Sequence, residues 1–534
     1  VYGSTIVTNP GVMMSSMRVV SSSLALALSC ATALSAHAAD SPRPLYDWST
    51  TERFDASRVP AYAGRHDAVY ARIDADMDAH IANLQRWVRQ RSISAQDDGI
   101  DAMANLVADD LRALGFAEVR LVETPGHPGV LGYYDAGAKK TLVVYMMYDV
   151  QPVEDNWQID DPFAGSLVKH ERGTVLMARG ATNQKGPQRA FLNALDAMIK
   201  TNGTLPVNLY VVAEGEEELG SPNFGKVIEP WVERLRKADG AFFPMNIQRP
   251  DGSASLNLGV KGIVYFELES KGGAWGGPAK AEVHGSLKSL VDSPTLRLVQ
   301  AIASMTTPDG NTITIPGYYA PVKAPAAEQQ RLINTLAAEA DDSTMQRSLG
   351  VSHWIDGLSG REAIVRNLYD PTLNINGLWS GYTGEGTKTI LPHIATAKID
   401  SRLPPGLEPD DAYRMIRAHL DANGFKDVVV RPMSGYPAAS TSVEAPLVQA
   451  MLGVMNKYGA KTRVSPWLAG SAPFHQFTRT LGLPFVFGGL GYGTGAHAPD
   501  EFMLLHPAEG VKAAGLADIE KSYVDILHAL SEAP

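Results

Sequence analysis

The chain has 534 residues, 45% of them hydrophobic, with 47 basic and 58 acidic side chains and a formal net charge of -11. This length supports a large core and more than one domain, and an acidic balance with no basic stripe argues against a nucleic-acid partner. The one cysteine, Cys30, falls in a segment expected to be removed, so the mature chain can form neither disulfides nor a thiolate metal site.

Residues 1–38 read as an upstream segment followed by a secretory signal. Met17-Arg18 supplies the charge, Leu24 to Leu34 the apolar stretch, and Ala36-His37-Ala38 a cleavage site. The expectation is an exported protein, periplasmic or secreted after cleavage near Ala38. The apolar stretch is short for a membrane span, and no later run is long enough. Residues 39–65 are polar and irregular, an expected N-terminal arm.

From residue 66 the pattern becomes regular. Asp67 to Val88 places Val69, Ile73, Met77, Ile81, Leu84 and Val88 at helical spacing. A second helix is predicted from Gly99 to Leu114, stopped by Gly115. Short strands follow near Glu118–Val122 and Val130–Tyr134. Thr141 to Pro152 is a continuous apolar run that ends in an acid, the signature of a buried parallel strand. If the strand reaches Asp149, Met147 and Asp149 share one face. Pro187 opens a predicted helix to Lys200. Pro206 to Ala213 is another buried strand, and it runs into Glu214-Gly-Glu-Glu-Glu-Leu-Gly-Ser221. A further strand ends over Ala241 to Asn246. Alternating strands and helices imply an α/β domain with its site at the strand tips.

The texture changes near Lys261. Gly262–Ser270 and Ala395–Leu403 alternate, with helices at Pro294–Met305 and Asp410–Asn423, the latter closed by Gly424. The predicted organisation is a catalytic domain over 66–260 and 434–534, interrupted by an inserted α+β domain over 261–433. The resumed part holds a helix at Pro446–Tyr458, a strand at Pro484–Phe487, a glycine-rich loop and a final helix.

Six segments occur in one order: YDVQP at Tyr148–Pro152, RGATNQKGP at Arg179–Pro187, EGEEELGS at Glu214–Ser221, GYTGEGTKTILP at Gly381–Pro392, SRLPPG at Ser401–Gly406 and GAHAPDE at Gly495–Glu501. Together they resemble the two-zinc peptidases and aminoacylases that include carnosinase-type dipeptidases, glutamate carboxypeptidase and succinyl-diaminopimelate desuccinylase. The resemblance spans nearly the whole mature chain. It implies an aminopeptidase-like catalytic domain with a mixed central sheet flanked by helices, plus an inserted α+β lid that mediates homodimerisation.

Carried over by motif, the resemblance gives Asp149 as the acid that orients a ligand histidine, Glu217 as general base and Glu218 as a metal ligand. His284 becomes the lid histidine that polarises the scissile carbonyl. Thr389, Arg402 and Ser471 become substrate contacts, with Arg402 on a carboxylate, and His497 the last metal ligand. Three positions depart from the pattern. Met147 stands where the family has a ligand histidine, Asn183 where it has the bridging aspartate, and Met245 where it has another aspartate. A thioether is a poor zinc ligand and an amide oxygen weaker than a carboxylate. The expected cofactor content is therefore at most one divalent metal, zinc by preference, or none. Without cations, Asp149, Glu217 and Glu218 would crowd, and one should show a raised pKa.

Two readings remain open from the sequence. One is an exported hydrolase of peptide or N-acyl amino acid amide bonds, acting on small substrates with a free carboxylate, with one or both metal sites lost. The other is a metal-free pseudoenzyme or small-molecule binding protein on the same fold. No nucleic acid and no membrane span are expected in either.

Overall fold

In the computed structural model of this chain the described residues are 43 and 46–533; the upstream and signal segment over 1–38 lies outside them. The central sheet runs in the order Glu118–Val122, Gly129–Tyr134, Asn208–Glu214, Thr141–Met147, Gly240–Pro244, Phe485–Gly488. The first pairings are antiparallel, whereas the Thr141 strand is parallel to both of its neighbours. It is buried along almost all its length, as a strand covered on both faces must be. The tips of Thr141–Met147 and Asn208–Glu214 come side by side, with Met147 opposite Glu214.

The helix Lys185–Asn202 crosses this sheet against the helices Met77–Arg89 and Leu516–Glu532. It starts two residues before Pro187, which is tolerated in a first turn because the proline's missing N–H has no intrahelical partner there. The helix expected over Asp67 to Val88 is two helices, Asp67–Ala75 and Met77–Arg89. They break at Asp76 (φ −95°, ψ 9°), a residue type that favours helix ends. Val69, Ile73, Leu84 and Val88 still share the core, so the apolar periodicity survives the break.

A smaller antiparallel sheet carries the strands Gly493–Thr494, Phe502–Pro507, Gly173–Met177 and Ser166–His170. It brings the turn after Met177 against the residues just before Phe502. That juxtaposition positions much of the site.

The inserted unit is a sheet in the order Asn374–Ser380, Ile394–Leu403, Gly259–Lys271, Val429–Tyr436, antiparallel throughout. The helices Pro294–Ser304 and Pro409–Ala422 cover one face, where Phe266, Leu268, Leu298, Ile399 and Ile416 are buried. The 13-residue strand Gly259–Lys271 ties the two parts together. Its start pairs with Ala439–Ser440 and Leu468–Ser471, and its remainder with the inserted sheet. The strand Val429–Tyr436 runs through the boundary expected at 433/434 and stays in the inserted sheet to its end. Three helices that the sequence did not single out, Ala327–Ala338, Asp342–Leu349 and Gly360–Tyr369, complete this part. The arm residues dock on the first of them: Trp48 Nε1 donates to Asn334 Oδ1 at 2.7 Å, and Ser49 to Gln330 Oε1.

Candidate functional site

The Thr141 strand ends at Met147, so the strand alternation does not carry through to Asp149. Met147 is buried in an apolar cluster with Tyr145 and Phe487, and Met245 packs against the same cluster. Asp149 is buried beyond the strand end and accepts hydrogen bonds from Ser94 Oγ (2.8 Å) and from the backbone N–H groups of Glu218 (3.0 Å) and Glu217 (3.2 Å). Gln184 Nε2 donates to the Asp149 carbonyl. Burial first, then the charge of Glu218, pushes the Asp149 carboxyl up to about 7.

Glu217–Leu219 is one 3-10 turn at the tip of the Asn208 strand, closed by Gly220 at φ +84°. Glu218 points inward, its side chain 3% exposed. Its carboxylate accepts from Asn183 Nδ2 (2.7 Å) and Gln151 Nε2 (2.8 Å), and pairs with His497 Nε2 at 3.1 Å. That bond raises the proton affinity of His497, whose backbone sits at φ +64°. The Glu217 carboxylate takes no hydrogen bond among the described residues. Burial and the neighbouring Glu218, Asp149 and Glu214 carboxylates push its pKa well above the usual range. Glu214 is pushed up to about 8, mainly by burial, although Tyr145 Oη (2.6 Å) and Ser221 Oγ (2.9 Å) donate to it.

Several positioning groups escaped the sequence reading. Glu501, fully buried, accepts from the backbone N–H groups of Gly180 (2.8 Å), Thr182 (2.9 Å) and Asn183 (2.9 Å) and from Arg179 Nη1 (3.0 Å). This clamp fixes the turn that carries Asn183. Gly180 stands at φ +82°, and a Cβ there would meet Val150 Cγ1 at 2.9 Å, so the turn needs glycine. Lys185 is buried, donates to the Gln90 carbonyl at 2.6 Å, and is pushed down to about 7 by burial. Glu501 lies within the GAHAPDE segment, and Lys185 within RGATNQKGP. Their motifs marked the neighbourhood but not their role.

The structure brings Asp149, Glu217, Glu218 and His497 together. His284 lies elsewhere, in a separate two-stranded sheet of Val283–His284 with Ile390–Leu391, and Thr389 immediately precedes the second of these strands. His284 Nδ1 bonds only Ser286, and no contact among the described residues joins either side chain to Glu217. Arg402 pairs with Asp400 at 3.4 Å. Tyr265 and Tyr436, on paired strands of the inserted sheet, feel the charges of both Arg402 and Glu217. Ser471 Oγ donates to the Gly262 carbonyl at 3.0 Å, at the junction of the two parts. Among the described residues no group of three or more His, Cys, Asp or Glu is arranged to hold a metal ion.

This strand-tip acid cluster beside an inserted sheet defines a class. The signature described as Peptidase family M20/M25/M40 matches residues 144–515, and the chain belongs to that family. It is a peptide or amide hydrolase by that membership, with the family's catalytic domain and lid. Among curated relatives, the Cys-Gly metallodipeptidase dug1 of Schizosaccharomyces pombe is 27% identical over 371 residues, 66% of this chain and 75% of the relative. The Beta-Ala-His dipeptidase of Homo sapiens is 28% identical over 378 residues, 66% and 71% respectively. The crystal structure of an M20 family metallo-carboxypeptidase, Sso-CP2 from Sulfolobus solfataricus, superposes with a TM-score of 0.74 at 32% identity, covering 85% of this chain and 99% of that one.

Proposed function

We propose that this chain is an exported hydrolase of dipeptides or N-acyl amino acids, with Glu217 as its proton carrier and an altered metal centre. The observation that carries the reading is the Glu217 carboxylate, at the strand tips among Glu218, Asp149 and Glu214 and free of hydrogen bonds among the described residues. The dipeptidase relatives support the substrate class.

The residues present do not fit a two-zinc centre. Met147 offers a thioether packed in an apolar cluster, and Met245 packs on the same cluster. The Asn183 amide donates to Glu218, where an aspartate would have added charge. Glu218 and His497 remain, a set for one ion at most.

In the chemistry this chain supplies, a water oxygen attacks the scissile carbonyl carbon while its proton passes to Glu217. The carboxyl then returns that proton to the nitrogen as the C–N bond breaks, leaving a free amine and a carboxylate. Arg402 takes the substrate's carboxylate, Ser471 orients it, and Asp149 fixes the turn of Glu217 and Glu218 through their backbone N–H groups. His284 and Thr389 are assigned to the oxyanion side of a second copy, which makes the proposed working form a homodimer. Export rests on the leader at residues 17–38, and among the described residues no helix is long and apolar enough to cross a membrane.

The test is hydrolysis of a dipeptide and N-acyl amino acid panel by the wild type and by Glu217→Gln. Loss of at least about hundredfold in kcat is expected, the size of a general-base contribution. Near-normal turnover in the variant would overturn the assignment, and a wild type that binds these compounds without cleaving them would make the protein a binding protein.

A further inference from the structure

We propose that the stacked pair His66–His528 is an acid-sensitive catch that releases the N-terminal arm as pH falls. The arm is a strap laid across two parts of the fold. Its first half lies on the inserted helix Ala327–Ala338, where the Phe54 N–H donates to the Arg331 carbonyl (3.2 Å) and Thr335 Oγ1 donates to the Phe54 carbonyl (2.7 Å). Its second half lies on the helix Pro446–Lys457 of the catalytic domain. There the Tyr62 N–H donates to the Gly453 carbonyl (2.9 Å), and Asn456 Nδ2 to the carbonyls of Ala56 and Val59 (2.8 Å each). The strap ends at His66, the residue that opens the helix Asp67–Ala75. The His66 ring stacks on His528 of the final helix Leu516–Glu532, with centroids 3.7 Å apart and 18° between the planes.

Two neutral imidazoles can stack at this distance, whereas two imidazolium ions repel each other. The groups around the pair do not offset a second charge. Lys457 already brings a cation: its Nζ donates to the Gly64 carbonyl (2.7 Å) and to Tyr70 Oη (2.9 Å), and it lies over the rings of Tyr62, Tyr70 and Tyr458. Asp525, fully buried, stands 3.9 Å from His66 Nε2. Its carboxylate is taken up by Lys457 (2.8 Å) and by the hydroxyls of Tyr70 and Tyr458. Glu532 accepts from Tyr62 Oη (3.1 Å), which itself lies 3.1 Å from His66 Nε2. Asp67 is exposed and bonded to Arg65 (3.3 Å).

His528 Nε2 is buried and has no hydrogen-bond partner among the described residues. A proton placed there would be a buried cation without an acceptor, which costs free energy. Burial, then the His66 charge, pushes His528 down to about 4, and burial also lowers His66 against the opposing pull of Asp525. The docked arm therefore holds fewer protons at this pair than the released arm does. The catch is firm above the usual histidine value of 6.5 and weakens as pH falls toward about 4.

The test is amide hydrogen exchange on the full chain, wild type against His528→Phe, at about pH 7.5 and about pH 4.5. Phenylalanine keeps an aromatic ring in the stack and takes no proton, and comparing the two proteins at one pH cancels the intrinsic pH dependence of exchange. At the higher pH residues 46–66 should exchange alike in both. At the lower pH they should exchange about tenfold or more faster in the wild type, while the strand Thr141–Met147 stays protected in both. His66→Phe gives the same readout should the first variant not fold. Equal arm exchange in the wild type and a folded variant at the lower pH, or an acceleration shared by the Thr141–Met147 strand, would overturn the catch.

Discussion

Glu214 receives its two hydrogen bonds from neutral hydroxyls, on Tyr145 and Ser221, and the neighbouring Asp149 and Glu216 charges oppose its ionisation. Burial therefore wins, and the carboxyl is pushed from the usual 4.5 up to about 8. The folded state holds this proton more tightly than the unfolded chain does. The associated stability is full below about 4.5 and is lost as pH rises through about 8. Thermal melts between pH 6 and 9 should show the wild-type Tm falling. Glu214→Gln keeps the hydroxyl partners without the titration and should fall less, whereas parallel slopes would contradict this assignment. The acids and His497 were legible because short motifs carry them. Ser94, Gln184 and Glu501 were not, since each acts through a bond to a residue far along the chain, which leaves no periodic trace. The buried Arg179–Glu501 pair is kept as a unit, because an uncompensated buried charge costs about 3–5 kcal/mol.

At the scale of elements, the strand Asn374–Ser380 forms the free edge of the lid sheet and leaves Ile375, Leu378 and Trp379 exposed. A long apolar edge of this kind pairs with another chain or aggregates. In a homodimer it is covered, and His284 gains a route to a second site. Light scattering on the purified protein should give a dimer, and Leu378→Lys should shift it toward monomer with a loss of activity. A monomeric wild type of full activity would contradict the dimer. The buried parallel strands were readable as apolar runs, and the lid strands as alternation. The helix Ala327–Ala338 was not, because the amides of Gln330 and Asn334, buried to hold the arm, interrupt its apolar stripe. The break at Asp76 left the periodicity intact and so was invisible to it.

For the whole molecule, the chain has the family's catalytic domain and lid, and the altered centre is the part that we propose. The sheet tips and the acid turn lie in the catalytic domain, and Arg402 lies in the inserted sheet. Two sulfur side chains and an amide occupy positions where the sequence resemblance implies metal ligands. In the proposed centre, neutral residues in place of acids would lessen the repulsion that lost cations leave behind. The fold could be read from sequence because it depends on patterns spread over many residues. The chemistry hangs on Met147, Asn183 and Met245, where a pattern shows the departure and only a measurement shows its consequence.

The most direct measurement is the metal content of the purified protein by elemental mass spectrometry, with dipeptide hydrolysis followed before and after chelation. At most about one divalent ion per chain, with turnover that depends on Glu217, is the predicted result. Two tightly held zinc ions per chain, with all activity lost on chelation, would contradict the altered centre.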